Sequence, residues 1–458
     1  MIVPRSRLLF WVALVVLPFS LLGPIEPGAG VVALAAVGGL FVLVVADAAG
    51  ARRGLHGLSV ALPAVSRMSK DRAANLEVRI RNQRRKPATV RLALALPREI
   101  GSEQEDARVA LPPNAEWSRL AWPCRPRRRG SYRLEAARLE TCSPLGFWDV
   151  RKTVAAPSEL RVYPNLLSER RDLAALFLNR NAAGLHAQRQ IGKGREFEKL
   201  REYSPGDSFD EIHWKATAKR GRPITKVFQL ERTQEVYVVI DASRLSGREV
   251  ETSLMANDAT GNSPAEPAKS GTTLERFITA ALVLGLAAEQ QGDLFGLLTF
   301  SNKVLNFVRA RNGKAHYSSC RDALYLLQPQ VLTPDFDEVC TFIRLRLRRR
   351  ALLVFLTSLD DSVLAESFVR NLDLIRRQHL VLVNTLQPPG VAPVFSNADV
   401  ASVDDLYERL GGHLQWQNLR ELEKVLQRRG VRFSLLKNER LSADLVSQYL
   451  NVKRRQVL

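Results

Sequence analysis

The stretch "EVYVVIDAS", residues 235–243, decides the fold of the C-terminal half. Its apolar run ends in an aspartate and a serine, and four further apolar runs of similar length follow. They are "DLFGLLTF" (293–300), "ALLVFLTS" (351–358), "HLVLVNTL" (379–386) and "VRFSLLK" (431–437). Apolar runs without alternation are typical of strands buried on both faces of a parallel sheet. The apolar helical segment "LERFITAALVLGLAAEQQ" between the first two runs predicts strand–helix alternation, so an α/β domain is expected over residues 233–458.

Two segments of this domain are predicted to depart from the alternation of strand and helix. The run "KVLNFVRA", residues 303–310, follows the second strand so closely that it predicts a hairpin and an antiparallel edge strand. Residues 247–271 are rich in Gly, Ser, Ala and Pro, which indicates a flexible loop after the first strand.

Polar side chains follow the first and fourth strands of the predicted sheet. Ligands of open parallel sheets bind at the carboxyl ends of the strands. Asp241 and Ser243 follow the first strand and Asp360 follows the fourth, and such hard oxygen ligands suit Mg²⁺. The alternative is local: Asp241 caps the turn and Ser243 bonds nearby backbone, as these residue types commonly do.

Residues 55–160 alternate between apolar and polar side chains in the manner of half-buried strands. Four such segments, each separated from the next by turn-forming residues, are "NLEVRIRN", "ATVRLALALP", "SRLAWPCRP" and "GSYRLEAARLE". This spacing predicts a small β-sandwich.

Two apolar segments, 8–22 and 31–46, come first in the chain. With their apolar neighbours each reaches about 20 residues, enough for the ~30 Å hydrocarbon core of a bilayer. Basic residues flank the pair on the outside and one glutamate lies between them: Arg5, Arg7, Arg52, Arg53 and Glu26. The positive-inside rule therefore predicts a transmembrane hairpin over residues 1–54 with both ends in the cytoplasm. A cleaved signal peptide is the competing interpretation, but no small-residue cleavage site follows the first segment.

Composition limits the classes of function. The 458 residues carry a formal net charge of +20, spread along the chain rather than gathered in one tail. This distribution favours an anionic membrane surface or an acidic partner over nucleic acid. The four cysteines form no C-x-x-C pair, which favours a reducing compartment.

The segment "GREFEKLREYSPGDSFDEIHWKATAK", residues 194–219, mixes acids, aromatics and one histidine. Alternation of its acids with basic residues favours local ion pairs over a hydrolytic carboxylate cluster. Neither a Ser-His-Asp spacing, nor H-E-x-x-H, nor a nucleophile elbow occurs in the sequence. A binding protein without enzymatic activity is therefore expected.

This segment, followed by a strand that ends in D-x-S, resembles the signature of the DUF58 family of bacterial membrane proteins. Two further segments match that family, "RRRGSYRLE" (127–135) and "TCSPLGFWD" (141–149), with Ser143 in place of the usual aspartate. The resemblance implies two N-terminal membrane helices in the bacterial inner membrane, a β-rich region, a signature connector over residues 161–232 and a doubly wound von Willebrand factor A-like domain.

Von Willebrand A domains often hold a metal ion at a D-x-S-x-S motif, and the resemblance carries Asp241, Ser243 and Asp360 onto that site. Leu245 replaces the second serine, and Lys314 on the expected second loop would compete with a divalent ion for the carboxylates. The site is therefore expected to be degenerate, without a required cofactor and with Mg²⁺ as the candidate metal.

The family resemblance also implies partners: a MoxR-type AAA+ ATPase and a transglutaminase-like membrane protein, in complex assembly or envelope-related processes. Two alternatives remain open, a metal-dependent hydrolase that uses Asp241, Asp360 and acidic residues of 194–219, and a purely structural scaffold. Signature residues of the connector are predicted to form a packed, hydrogen-bonded clasp beside the C-terminal domain: Glu196, Arg201, Tyr203, Gly206, Asp207, His213, Trp214 and Lys215.

Overall fold

A computed structural model describes most of the chain. The described residues are 1–22, 29–51, 54–85, 87–167, 169, 191–204, 209–229, 234–252, 269–396 and 402–455. Residue contacts divide the chain into two units, Met1–Asn165 and Leu166–Leu458. Together they form a mixed α/β protein with several sheets.

The described residues of the first unit form two helices, α1 (Ser6–Leu22) and α2 (Ala29–Ala51), and ten strands. The strands are β1 (Ile2–Pro4), β2 (Leu58–Ala61), β3 (Val65–Ser69), β4 (Ala74–Asn82), β5 (Ala88–Leu94), β6 (Ile100–Gly101), β7 (Ala107–Leu111), β8 (Trp117–Pro126), β9 (Gly130–Cys142) and β10 (Trp148–Tyr163). The four alternating segments predicted from the sequence are confirmed as β4, β5, β8 and β9.

These strands form two sheets around one core. One sheet has the order β1-β10-β9-β5-β7, with β3 parallel to β10, and the other has the order β2-β4-β8-β6. Alternate side chains of β4, such as Leu76 and Val78, are fully buried and share a core with Leu92 and Leu139 of the other sheet. The period-2 pattern thus places one face of each sheet in a common interior.

Only α2 meets the length and composition of a membrane span among the described residues, within Leu34–Ala51. Helix α1 has 17 residues, about 26 Å at 1.5 Å per residue, with Pro18 inside it. Many apolar side chains of both helices are exposed, including Phe10, Leu34 and Phe41. The structure therefore contains one candidate span where the sequence predicted two.

A buried carboxylate joins α2 to the sandwich. Asp47 is 4% exposed, and its carboxylate accepts hydrogen bonds from Ser143 Oγ at 2.6 Å and from the backbone N–H groups of Leu145 at 2.9 Å and Phe147 at 3.3 Å. We call this arrangement the Asp47 joint. It lies in the β9–β10 turn, so a helix residue supplies the carboxylate that organises this turn.

The start of the chain returns to the same turn. Strand β1 pairs antiparallel with β10, with Pro4 opposite Trp148, and the Arg5 N–H donates to the carbonyl of Phe147 at 2.9 Å. The Trp148 indole N–H donates to the Val44 carbonyl of α2 at 3.0 Å. Residues before α1 and residues within α2 are therefore hydrogen-bonded to β10 and its preceding turn.

The described residues of the second unit form seven α-helices and ten strands. Its helices are α3 (Trp214–Arg220), α4 (Thr273–Gln290), α5 (Lys314–Leu324), α6 (Phe336–Arg346), α7 (Ser362–Leu372), α8 (Val403–Arg428) and α9 (Leu441–Arg455). Its strands are β11 (Ile191–Glu202), β12 (Ile224–Gln229), β13 (Glu235–Asp241), β14 (Glu249–Thr252), β15 (Lys269–Thr272), β16 (Leu294–Phe300), β17 (Val304–Arg311), β18 (Leu352–Leu356), β19 (Leu380–Leu386) and β20 (Arg432–Leu436).

Six of these strands form one sheet in the order β17-β16-β13-β18-β19-β20. All neighbours are parallel except β16 and β17, so the predicted antiparallel edge strand is confirmed. The first strand, β13, lies beside the fourth, β18, at the centre of the sheet.

Helices cover both faces of this sheet. Val236, Val238 and Ile240 of β13 pack with α4, α5 and α9, whereas Tyr237 and Val239 pack with α6, α7 and α8. All five side chains are at most 1% exposed, which explains the uninterrupted apolar run of this strand.

Two short ribbons complete the second unit. Strands β11 and β12 pair within the signature region, and β14 pairs with β15. The β14/β15 pair, which we call the arm, occupies the two ends of the predicted flexible loop 247–271. That loop thus has paired strands that the sequence did not predict, and its residues 253–268 lie outside the described residues.

Candidate functional site

The carboxyl ends of β13 and β18 bring Asp241 and Thr357 together. Ile240 lies opposite Leu356 in these parallel neighbours, so the residues that follow are side by side. Thr357 Oγ1 donates to Asp241 Oδ2 at 2.7 Å, and the Ser243 N–H donates to Asp241 Oδ1 at 2.8 Å. Both carboxylate oxygens of Asp241 are therefore engaged by the chain itself.

Burial dominates the electrostatics of Asp241, whose side chain and backbone together are 1% exposed. Desolvation raises the pKa of the Asp241 carboxyl above its usual range, and hydrogen bonds from Thr357 and Ser243 offset only part of this effect. Perturbed carboxyl groups in a strand-end crevice are typical of functional sites, although structural networks also produce them.

Asp360 lies on the loop after β18 and has a cationic partner. Its side chain is 3% exposed, and its Oδ2 forms an ion pair with Nη1 of Arg248. Its Oδ1 is buried and has no hydrogen-bond partner among the described residues. Arg248 follows the turn Arg244–Gly247 and precedes β14, at the base of the arm.

The two serines near Asp241 have local roles in the turn. Ser243 contributes its backbone N–H to Asp241, and Ser246 Oγ donates to the Ser243 carbonyl at 2.7 Å. Leu245, which replaces the second serine of the metal motif, is buried in the core with Phe336 and its neighbours. Asp241 thus caps the turn, as the alternative to metal binding expects, whereas the Ser243 hydroxyl is buried without a hydrogen-bond partner among the described residues.

Lys314 does not approach the crevice. Because β17 runs antiparallel, with Arg311 opposite Phe295, helix α5 begins at the amino edge of the parallel strands. His316 on that helix lies 2.8 Å from the Phe295 carbonyl, as measured from its Nε2. The expectation that Lys314 competes for the crevice carboxylates is therefore wrong, and the cation beside Asp360 is Arg248.

The carboxylates of the crevice are already paired within the chain. Mg²⁺ takes about six oxygens at short distance. Both oxygens of Asp241 accept hydrogen bonds, and one oxygen of Asp360 binds a guanidinium. Across the described ranges, no group of three or more His, Cys, Asp or Glu residues could hold a metal ion.

The signature connector is only partly a packed cluster. Tyr203 stacks on Phe209 with ring centroids 5.9 Å apart, and His213 caps α3, its Nδ1 accepting from the Ala216 N–H at 3.0 Å. The His213 N–H also donates to the Ile224 carbonyl at 2.7 Å, which ties α3 to β12. These two residues have the local structural roles expected of a clasp.

Two of the other predicted clasp residues differ from that expectation. Trp214 is 69% exposed and Lys215 is also exposed, so neither is packed within the cluster. Arg201 Nη1 donates to Ser204 Oγ at 3.0 Å. Glu196 belongs to β11, whose backbone alone is described at that position, and Gly206 and Asp207 lie outside the described residues.

Part of the chain matches a known protein family. Residues 199–391 match the family model for "Protein of unknown function DUF58". The DUF58 match begins within β11 and ends after β19, so it includes α3, the crevice strands β13 and β18, and the arm. It supports the resemblance drawn from the signature segment.

Solved structures give weaker likenesses. The conserved hypothetical protein BatB from Bacteroides thetaiotaomicron aligns with 48% of this chain and 99% of its own, at 14% identity and a TM-score of 0.29. An aerotolerance-related membrane protein from Bacteroides fragilis NCTC 9343, with multiple mutations to serines, aligns with 48% of this chain and 98% of its own, at 12% identity and a TM-score of 0.29. No functional conclusion follows at these scores, and no curated protein sequence matches the chain.

Sequence reasoning missed Arg248. It is 112 positions from Asp360, and nothing in the motif D-x-S indicates that an arginine after the turn reaches the loop that follows β18. The only available signal was its place shortly after the strand-end aspartate, in a segment that composition indicated to be a loop.

Proposed function

We propose that this chain is a membrane-anchored binding protein whose C-terminal unit is von Willebrand A-like and holds a protein partner at the carboxyl edge of its sheet. The strand order, with an antiparallel edge strand and β13 beside β18, supports a doubly wound domain of that kind. In such sheets the carboxyl edge is the usual place for ligands.

One observation carries the choice of binding over catalysis. The two carboxylates that a hydrolase would use, Asp241 and Asp360, are buried and already engaged by Thr357, Ser243 and Arg248. A general base must reach the proton it removes, and a metal site needs free oxygens. The crevice therefore favours a positioning role over the metal-dependent hydrolase alternative.

Apolar side chains at the rim of the crevice offer a contact surface. Val331 is 93% exposed and Leu332 is half-exposed, and the carbonyl of Leu332 accepts from the Arg244 N–H at 3.0 Å. Val363 is 73% exposed beside Asp361, which caps α7. Exposed apolar groups next to ion pairs are typical of interaction surfaces.

The membrane part of the proposal rests on the first unit. Helix α2 has the length and composition of a span, and basic residues flank the helical pair. We propose that α1 and α2 form an inner-membrane hairpin with both ends in the cytoplasm, as the positive-inside rule predicts.

The partner class comes from the family resemblance, which the match over residues 199–391 supports. We propose a MoxR-type AAA+ ATPase as the partner, with a transglutaminase-like membrane protein as a second component of the same assembly. The resemblance implies that such proteins take part in complex assembly or envelope-related processes.

Co-purification tests this assignment. The detergent-solubilised full chain is expected to retain the ATPase in at least one nucleotide state, and Val331→Asp with Val363→Asp is expected to abolish retention. Leu345→Asp is the matched control, because Leu345 is 70% exposed but lies near the end of α6, at the amino edge. Absence of retention with ATP, ADP and a non-hydrolysable analogue would reject the partner. Metal-dependent hydrolysis that is lost in Asp241→Ala would favour the hydrolase instead.

A further inference from the structure

The buried carboxylate of Asp360 needs a compensating positive charge. Its side chain is 3% exposed, and a buried ionised carboxylate is unfavourable unless it is paired. The partner is the guanidinium of Arg248, which reaches it from a different loop. Arg248 itself remains half-exposed, so it brings positive charge to the carboxylate without being buried with it.

Backbone contacts near Arg248 position the base of its side chain. The Arg248 carbonyl accepts from the Thr273 N–H at 2.9 Å, at the start of α4. On the other side, a Cβ added to Gly247 would lie 3.3 Å from Pro329 Cβ, so the chain here passes close to the segment that follows α5. The Arg248 backbone is therefore anchored to the start of α4, next to the close approach of Gly247 to Pro329.

The oxygens at this edge have the chemistry of a cation site. Asp360 keeps one buried oxygen, Oδ1, without a partner among the described residues, and its other oxygen binds the guanidinium. Asp241 and Ser243 add further buried oxygens at the same sheet edge. Hard oxygens of this kind bind Mg²⁺ or Mn²⁺ when no protein cation is present.

We infer that Arg248 is the built-in cation of this crevice, that it makes the site independent of divalent metal, and that its removal opens Asp360 to Mg²⁺ or Mn²⁺. The ion pair also links the base of the arm to the loop after β18. This role of Arg248 does not depend on which partner binds, so the experiments below test it separately from the ATPase assignment.

The first test measures thermal unfolding of the solubilised full chain with EDTA and with increasing Mg²⁺ or Mn²⁺. The wild type is expected to show the same midpoint throughout. Arg248→Met, which keeps the apolar stem but removes the charge, is expected to lose stability in EDTA and to regain about 5 °C when Mn²⁺ is about 100 times its Kd. Mn²⁺ electron paramagnetic resonance is expected to show one bound ion per chain in this variant and none in the wild type.

Two controls isolate the charge at Asp360. Arg248→Lys keeps a cation and is expected to resemble the wild type. Arg244→Met removes a neighbouring arginine whose nearest carboxylate oxygen, on Asp361, is 3.9 Å away with both side chains largely exposed. It is expected to gain no metal response.

A double variant keeps the inference testable if Arg248→Met does not fold. Arg248→Met with Asp360→Asn removes both charges and is expected to fold without metal and to ignore Mn²⁺. A double variant that also fails to fold would overturn the inference, because the loss would then not come from the unpaired carboxylate. A wild type stabilised by Mg²⁺ as strongly as Arg248→Met, or a folded Arg248→Met without any metal response, would overturn it equally.

Discussion

Asp47 in the first unit and Asp241 in the second are both buried carboxylates, and they differ in what surrounds them. Asp47 accepts three hydrogen bonds, two of them from backbone N–H groups of one turn. Asp241 accepts one backbone hydrogen bond and one from a hydroxyl. Backbone N–H groups can only donate, whereas the Thr357 hydroxyl can also accept. We therefore expect the Asp47 joint to require a carboxylate, whereas the Asp241 position should tolerate other oxygen groups.

Removal of the Asp47 side chain is expected to have the largest effect. In Asp47→Ala, three buried donors lose their acceptor, and each such loss costs on the order of 1–3 kcal/mol. We expect the free energy of unfolding of the first unit to fall by about 3 kcal/mol or more. Denaturant unfolding followed by tryptophan fluorescence measures the change.

The control for this variant is Asp106→Ala, which removes an exposed ion pair with Arg91 and is expected to change little. Equal losses in the free energy of unfolding of the two variants would show that Asp47 contributes no more than an exposed carboxylate does.

The same substitution, Asp→Asn, is expected to act with opposite sign in the two units. Asp47→Asn places an NH₂ group against N–H donors, which we expect to cost about 2 kcal/mol. Asp241→Asn removes a charge that burial disfavours, and Thr357 can turn to accept from the amide. Stability of the second unit is therefore expected to rise at neutral pH.

The pH dependence of this gain follows from the direction of the Asp241 shift. The folded pKa is raised above the unfolded value, so the stability that this group contributes is present below the ordinary aspartate pKa of 3.8 and is lost as pH rises through the folded pKa. The advantage of Asp241→Asn over the wild type is therefore expected at neutral pH and should vanish in acid. An advantage that persists unchanged in acid would contradict the assignment of the effect to charge.

A smaller difference between the units is expected in mild acid. His379, before β19, is 3% exposed, and both of its ring nitrogens are without a partner in the described chain. Burial lowers the pKa of the His379 imidazole below 6.5. Its contribution to stability is full above that unfolded value and decreases as pH falls below it.

Acid unfolding of the two units measures this effect. The second unit is expected to lose stability as pH falls below 6.5, whereas the sandwich should change less. His379→Leu is expected to remove the difference. An unchanged acid response in that variant would assign the effect to other groups.

The period of the apolar pattern was enough to predict the architecture of both units. Uninterrupted runs such as 236–240 identified strands buried on both faces, and alternation such as Leu76, Val78 and Ile80 identified the sandwich. These features depend on local sequence, because burial and strand period leave a direct pattern in the residues.

The contacts that complete each site could not be predicted in this way. Arg248 and Asp360 are 112 positions apart, and Asp47 and Ser143 are 96 positions apart. Which polar side chain reaches which carboxylate depends on loop paths, and composition does not determine those paths. The same limit explains why Lys314 was expected at the crevice although helix α5 begins at the opposite edge.

The pairing of β1 with β10 also has a consequence for biosynthesis. The Met1 amino group donates to the Arg151 carbonyl, 150 positions later in the chain. While a ribosome makes this chain, the first strand has no partner until the last strand of the sandwich has emerged. Helices α1 and α2 are completed long before that moment, so the pairing of β1 with β10 comes after both helices in the order of synthesis.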